Sequence, residues 1–165
     1  MAGVTLFLDF DGVLHPAFCP EEEHFCRRPL LEAVLRRHPA VEVVISSSWR
    51  HHHALEDLLS RFSGDIAARI VGATRPWRQG GPANRHAEIL DWLAWQRREG
   101  LPWLALDDSA FEFPGDCANL LLCDSRFGLT ETLAETLSRR LSSMAEGRGG
   151  GERGIFRHRE DAEKP

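Results

Sequence analysis

Residues 4–16 read VTLFLDFDGVLHP. An apolar run of this kind, bounded by small and polar residues, is the pattern of a strand buried on both faces. Such strands belong to parallel sheets covered by helices on both sides. The run closes on two acids, Asp9 and Asp11, separated by Phe10 and followed by Gly12. Carboxylates at the end of a core strand are costly unless their charge is compensated, so these two point to chemistry rather than packing.

The rest of the chain supplies the sheet that this strand needs. Residues 28–39, RPLLEAVLRRHP, place Pro29 at a helix start with Leu31, Val34 and Leu35 on one face. A second strand follows in VEVVISSSW, residues 41–49, then Ala54, Leu55, Leu58, Leu59 and Phe62 at helical spacing. DIAARIVGA, residues 65–73, reads as a short third strand, and residues 85–98 as a helix through Ile89, Leu90, Leu93 and Ala94. WLALDD and NLLLC read as two more buried strands, and Leu133, Leu137, Leu141 and Met144 line a last helix. Strands alternating with helices predict a doubly wound, Rossmann-like α/β sandwich of three layers around a mainly parallel sheet. The segments between Gly12 and Pro29 and between Gly72 and Asn84 are too short for a folded cap domain.

With 165 residues the expectation is one domain, residues 1–145, followed by a tail. That tail, residues 146–165, opens EGRGGGERG and carries almost no apolar residue besides Ile155 and Phe156, a composition that predicts disorder. The net charge of −5 argues against a general electrostatic grip on nucleic acid while leaving room for a local basic site. The four cysteines lack paired C-x-x-C spacing and residues 1–20 lack the pattern of a secretory signal, so reduced thiols and a cytoplasmic location are expected. No apolar run approaches the roughly 20 residues that span a bilayer, so no membrane partner is expected. The sequence leaves the oligomeric state open.

In doubly wound sheets ligands sit beyond the carboxyl ends of the strands. There the chain places Asp9 and Asp11, then Ser46, Ser47 and Ser48, then Asp107 and Asp108. Four converging acids repel one another unless a cation joins them, and an oxygen-only donor set suits Mg²⁺ rather than zinc.

These residues resemble a known family. FLDFDGVL is similar to the first motif of the haloacid dehalogenase superfamily, and the serines and LALDDS fall where its second and fourth motifs belong. More narrowly, VVISSSWR, NRHAEILDWL, WLALDDSAF and GLT resemble the haloacid dehalogenase domain associated with Swiss Army Knife RNA repair proteins. The resemblance covers residues 4–145 and implies a Mg²⁺-dependent phosphomonoesterase acting through an aspartyl-phosphate. It implies Asp9 as nucleophile and metal ligand, Asp11 as proton donor and acceptor with its carbonyl on the metal, Gly12 as the turn that brings both to one opening, and Asp107 or Asp108 completing the metal sphere. Ser47 is the expected phosphate-holding hydroxyl, with Ser46 and Ser48 as alternatives.

The superfamily's usual lysine is missing, because the chain has a single lysine, Lys164, in the tail. Arg85, at the start of the helix before the fourth strand, is the expected replacement, with Arg75 and Arg78 as rivals and further substrate contacts. Trp77, between those two arginines, could stack on a base. An open site admits a phosphorylated metabolite or a nucleic-acid end. The competing readings are a non-catalytic phosphate- or nucleic-acid-binding module and a phosphotransferase. Arg50–His53, RHHH, reads as a solvated face.

Overall fold

The structure is a computed structural model that describes residues 3–77 and 84–147. Arg78 and, apart from Glu146 and Gly147, the expected tail lie outside the described residues.

Five parallel strands form one sheet in the order β3-β2-β1-β4-β5: β1 Thr5–Leu8, β2 Glu42–Ile45, β3 Ile70–Ala73, β4 Trp103–Asp107 and β5 Leu120–Leu122. The helices are α1 Arg28–Arg37, α2 Leu55–Leu59, α3 Gly64–Ala67, α4 Arg85–Trp95 and α5 Glu131–Glu146. This is the expected three-layer α/β sandwich, and among the described residues no cap domain interrupts it. No helix of the described residues is long and apolar enough to cross a membrane.

Because β1 lies in the middle, its residues alternate between two cores. Leu6 and Leu8 join a large core with Val43, Ile45, Leu104 and Leu106, closed by α1 and α5 through Leu31, Leu35, Leu137 and Leu141. Phe7 faces the other way, into a smaller core with Val44, Ala105 and the α4 residues Ile89, Trp92 and Leu93. Phe7 meets Trp92 and Trp103 edge to face, at ring separations of 5.5 and 5.9 Å.

The boundaries follow local chemistry. Pro29 opens α1, the Asn84 side chain accepts the Ala87 N–H at the start of α4, and Thr130 caps α5 through the Leu133 N–H. Helix α4 stops at Trp95, short of the expected Arg98, because Arg97 turns into the left-handed region at φ 56° and the Arg98 N–H closes back on the Leu93 carbonyl. The expected third strand is also divided. Its first half is the single turn α3, which sends Ile66 into the core while Asp65 pairs with Arg36 of α1, and only Ile70–Ala73 joins the sheet.

Phe7 packs α4 onto the central strand, and α4 begins with Arg85. Phe7→Ala should therefore destabilise the fold by about 3–5 kcal/mol, the usual cost of emptying a buried aromatic position. A chemical-denaturation curve measures this, and a loss below about 1 kcal/mol would contradict the packing described.

Candidate functional site

The strand register sets the site. Leu8 pairs with Ile45 and Leu106, so the next residues, Asp9, Ser46 and Asp107, stand side by side at the carboxyl edge of the sheet. Ile45 pairs with Ala73, which adds Thr74 to the same row. Residues of this row lie on the side of the sheet covered by α4, as Phe7 and Val44 do two positions earlier. The backbone continues the ladder here, with Asp9 N–H on the Leu106 carbonyl and Ser46 N–H on the Leu8 carbonyl.

Asp9, Asp107 and Asp108 bring carboxylate oxygens within 4.8 Å of one another, and Asp9 and Asp107 are buried. Arg85 meets them from the first turn of α4. Its Nη1 lies 3.1 Å from Asp9 Oδ1 and 2.8 Å from Asp107 Oδ2, and Nη2 lies 3.6 Å from Glu112. Burial opposes the charge of Arg85, but Asp9, Asp107 and Glu112 outweigh it and raise its pKa, so it is a fixed cation. With Nη1 engaged by two acids, Arg85 offsets their charge directly, while its guanidinium carries further N–H donors beyond Nη1.

One arginine does not neutralise three acids. Burial is the largest influence on Asp9 and, together with Asp107 and Asp108, pushes its pKa up to about 8 although Arg85 and the Phe10 N–H pull the other way. Burial likewise raises Asp107 against the pull of Arg85. The Cys123 thiol beside them is pushed above its ordinary value by burial and by the same three acids, which leaves it unreactive. The geometry thus has room for more positive charge, and among the described residues Asp9, Asp107 and Asp108 stand close enough together to hold a cation.

Gly12 has two reasons to be glycine. Its φ is 72°, and a Cβ there would sit 2.1 Å from Asp108 Oδ2. The turn after β1 therefore also makes room for an acid arriving from β4.

Asp11 faces different partners from Asp9. Its side chain is 45% exposed, Oδ1 lies 2.8 Å from His15 Nε2, and Oδ2 accepts the Trp49 Nε1–H at 2.9 Å. Ser47 is buried, and its Oγ accepts the Trp49 N–H at 3.3 Å as the cap of a short turn, keeping its own O–H to give. Ser48 is exposed. The hydroxyls of Ser46 and Thr74 are buried and have no hydrogen-bond partner among the described residues.

The structure does not bring Arg75 to the acids. Its guanidinium pairs with Asp91 at 3.0 Å and lies 4.4 Å from the centre of the Trp95 ring, further along α4. Trp77 is half-buried, with its N–H on Glu88 at 3.3 Å. The RHHH segment divides: His51, His52 and His53 are exposed, but the Arg50 side chain is only 6% exposed. Arg50 pairs with Glu88 and donates to the carbonyls of Ser46, Ser47 and Thr74. It ties the ends of β2 and β3 to α4 and so holds the serine turn beside Asp9.

Sequence reasoning missed His15, Trp49, Arg50, Glu88 and Glu112. The available signals were a histidine four residues after Asp11 and an indole N–H donor directly after the serines.

The linkage sign follows from the raised Asp9. An acid that keeps its proton to about pH 8 when folded and releases it near 4 when unfolded lowers stability as pH rises across that interval. A cation bound to the carboxylates offsets this, and below about pH 8 it must displace the proton first. A hard divalent cation should therefore raise Tm more at about pH 9 than at about pH 6. Equal shifts at the two pH values, read by thermal denaturation, would contradict cation binding at Asp9.

Residues 5–134 match the family model described as the HAD domain in Swiss Army Knife RNA repair proteins, HAD standing for haloacid dehalogenase. No curated protein and no solved structure matches the chain.

Proposed function

Because the chain belongs to the family of HAD domains in Swiss Army Knife RNA repair proteins, we propose that it is a phosphomonoesterase whose nucleophile is Asp9. The observation that carries this reading is the buried acid cluster beside Arg85 at the end of the central strand. An all-oxygen, acid-rich donor set fits Mg²⁺, which Asp9, Asp107 and Asp108 would hold. When bound, that ion supplies positive charge to the phosphoryl oxygens and keeps Asp9 ionised.

The chain's own residues divide the reaction. A carboxylate oxygen of Asp9 attacks phosphorus, and the phosphorus–oxygen bond to the ester breaks with its electron pair on the leaving oxygen, which takes a proton from Asp11. Asp9 is then an aspartyl-phosphate. Water attacks the same phosphorus, gives its proton to the Asp11 carboxylate, and displaces Asp9, releasing phosphate and restoring both acids. Arg85 offsets the charge gathered at the phosphoryl group throughout. A hydroxyl of the serine turn, from Ser46 or Ser47, holds a phosphoryl oxygen, and Gly12 keeps Asp108 close to the nucleophile.

Among the described residues no cap domain covers this edge of the sheet, which supports substrates as large as a nucleic-acid end, and the family's place in RNA repair proteins supports the same class. A panel of nucleotides, sugar phosphates and oligonucleotides with 5′- or 3′-terminal phosphates selects among substrates. Release of free phosphate, rather than delivery to an added acceptor, separates hydrolysis from transfer.

On an aryl phosphate, turnover should disappear with EDTA and return with added Mg²⁺. Arg85→Ala should lose about 100-fold in kcat/KM, the scale of removing one preorganised charge-stabilising group, and Arg85→Lys should retain part of the activity. Metal-independent turnover, or a fully active Arg85→Ala protein, would overturn the assignment.

A further inference from the structure

Asp11 sits in a frame that the reaction scheme leaves unexplained. Both its oxygens accept hydrogen bonds, one from each of two ring N–H groups that come from separate parts of the chain. His15 is 1% exposed, and its Nδ1 accepts the backbone N–H of Phe25 at 3.2 Å. A ring nitrogen that accepts an N–H carries no hydrogen itself, so the proton of His15 is on Nε2 and is directed at Asp11 Oδ1. The tautomer is thus set by a third residue.

Phe25 supplies that N–H from an unusual backbone. Its φ is 63°, a left-handed conformation that is uncommon for a bulky side chain, and it is buried against Phe10, Trp49 and Phe62. Trp49 is wedged as firmly. Its ring stacks on His53 at 5.1 Å, meets Phe25 edge to face at 5.4 Å, and packs on Phe10 at 5.8 Å. His15 in turn stacks on His24 at 4.6 Å. The two donors are held by packing and therefore constrain Asp11, rather than following it.

We propose that His15 and Trp49 are positioning residues that lock the Asp11 carboxylate in the orientation needed to give a proton to the ester oxygen and to take one from the attacking water. The inference rests on Asp11 as the general acid of the phosphatase reading. Each Asp11 oxygen has a second lone-pair site beyond the one filled by its N–H donor. His15 and Trp49 fill one site on each oxygen, and the Asp11 side chain is still 45% exposed, so the remaining sites are available to a substrate. Neither ring touches the reacting atoms; both act through Asp11.

A positioned proton donor matters in proportion to how badly the leaving oxygen needs a proton. An alkyl alkoxide needs it, and a nitrophenolate scarcely does. The test compares kcat/KM, which reports the step that expels the ester oxygen, for an alkyl phosphate and for p-nitrophenyl phosphate in the wild type, Trp49→Phe, His15→Phe and His15→Gln. Trp49→Phe removes the N–H and keeps an aromatic ring in place, and His15→Gln retains an N–H donor near the same position. Trp49→Phe and His15→Phe should each raise the aryl-to-alkyl ratio of kcat/KM about tenfold, a fraction of what a general acid contributes, with His15→Gln restoring part of the loss. If His15→Phe does not fold, Trp49→Phe and His15→Gln still decide the matter. Equal losses on both esters, or none, overturn the positioning role while leaving the phosphatase reading intact. A wild type inactive on both esters overturns the phosphatase reading and this inference with it.

Discussion

The ion cluster of Arg85 with Asp9 and Asp107 is the constraint on which the rest of the site depends. Each member comes from a different element: the end of β1, the end of β4 and the first turn of α4. Two buried carboxylates on adjacent central strands cannot be tolerated without a cation, and α4 supplies one at its amino end because Asn84 caps the helix just before Arg85. The smaller core beneath, with Phe7 against Trp92, fixes the height of that helix over the sheet. Fold and chemistry therefore meet in one short register row.

The acids beyond that pair are placed by equally local means. Gly12 lets Asp108 close over the turn after β1, and Arg50 binds the carbonyls of the serine turn while pairing with Glu88 of α4. Asp11 belongs to a separate environment built from His15, Trp49 and Phe25. Two carboxylates one residue apart thus have unlike surroundings. Asp9 is buried among charges with its pKa raised, whereas Asp11 is half-exposed between two neutral ring donors, and unlike surroundings are what unlike roles require.

Much of this was legible in the sequence because it is written in pattern. The apolar run that switches abruptly to acid at Asp9 and again at Asp107 marks buried strands ending in a site, and the alternation with helices marks the parallel sheet. Arg85 was findable from its place at the head of a helix. What the sequence concealed arises from contacts distant along the chain. Trp49 reaches Asp11 across 38 positions and Arg50 reaches Glu88 across the same span, so the residue types were visible but their partners were not. Arg50 stands before three histidines and looks like one more solvated charge, yet it is buried because four acceptors surround it. Arg75, the rival of Arg85 in sequence, is held elsewhere by Asp91 and Trp95, contacts that its position in the chain does not announce. The turn α3 is concealed in sequence because its apolar residues are too few to show a helical period.

The central claim is that Asp9 becomes covalently bonded to phosphorus. The most direct measurement is an acid quench of the enzyme turning over a phosphate ester labelled in its phosphoryl group, followed by peptide mapping of the labelled protein. The account predicts a hydroxylamine-labile label on the peptide that contains Asp9, and none in Asp9→Asn. Turnover at a steady rate with no label on that peptide, or an Asp9→Asn protein that still hydrolyses the ester at the wild-type rate, would contradict it.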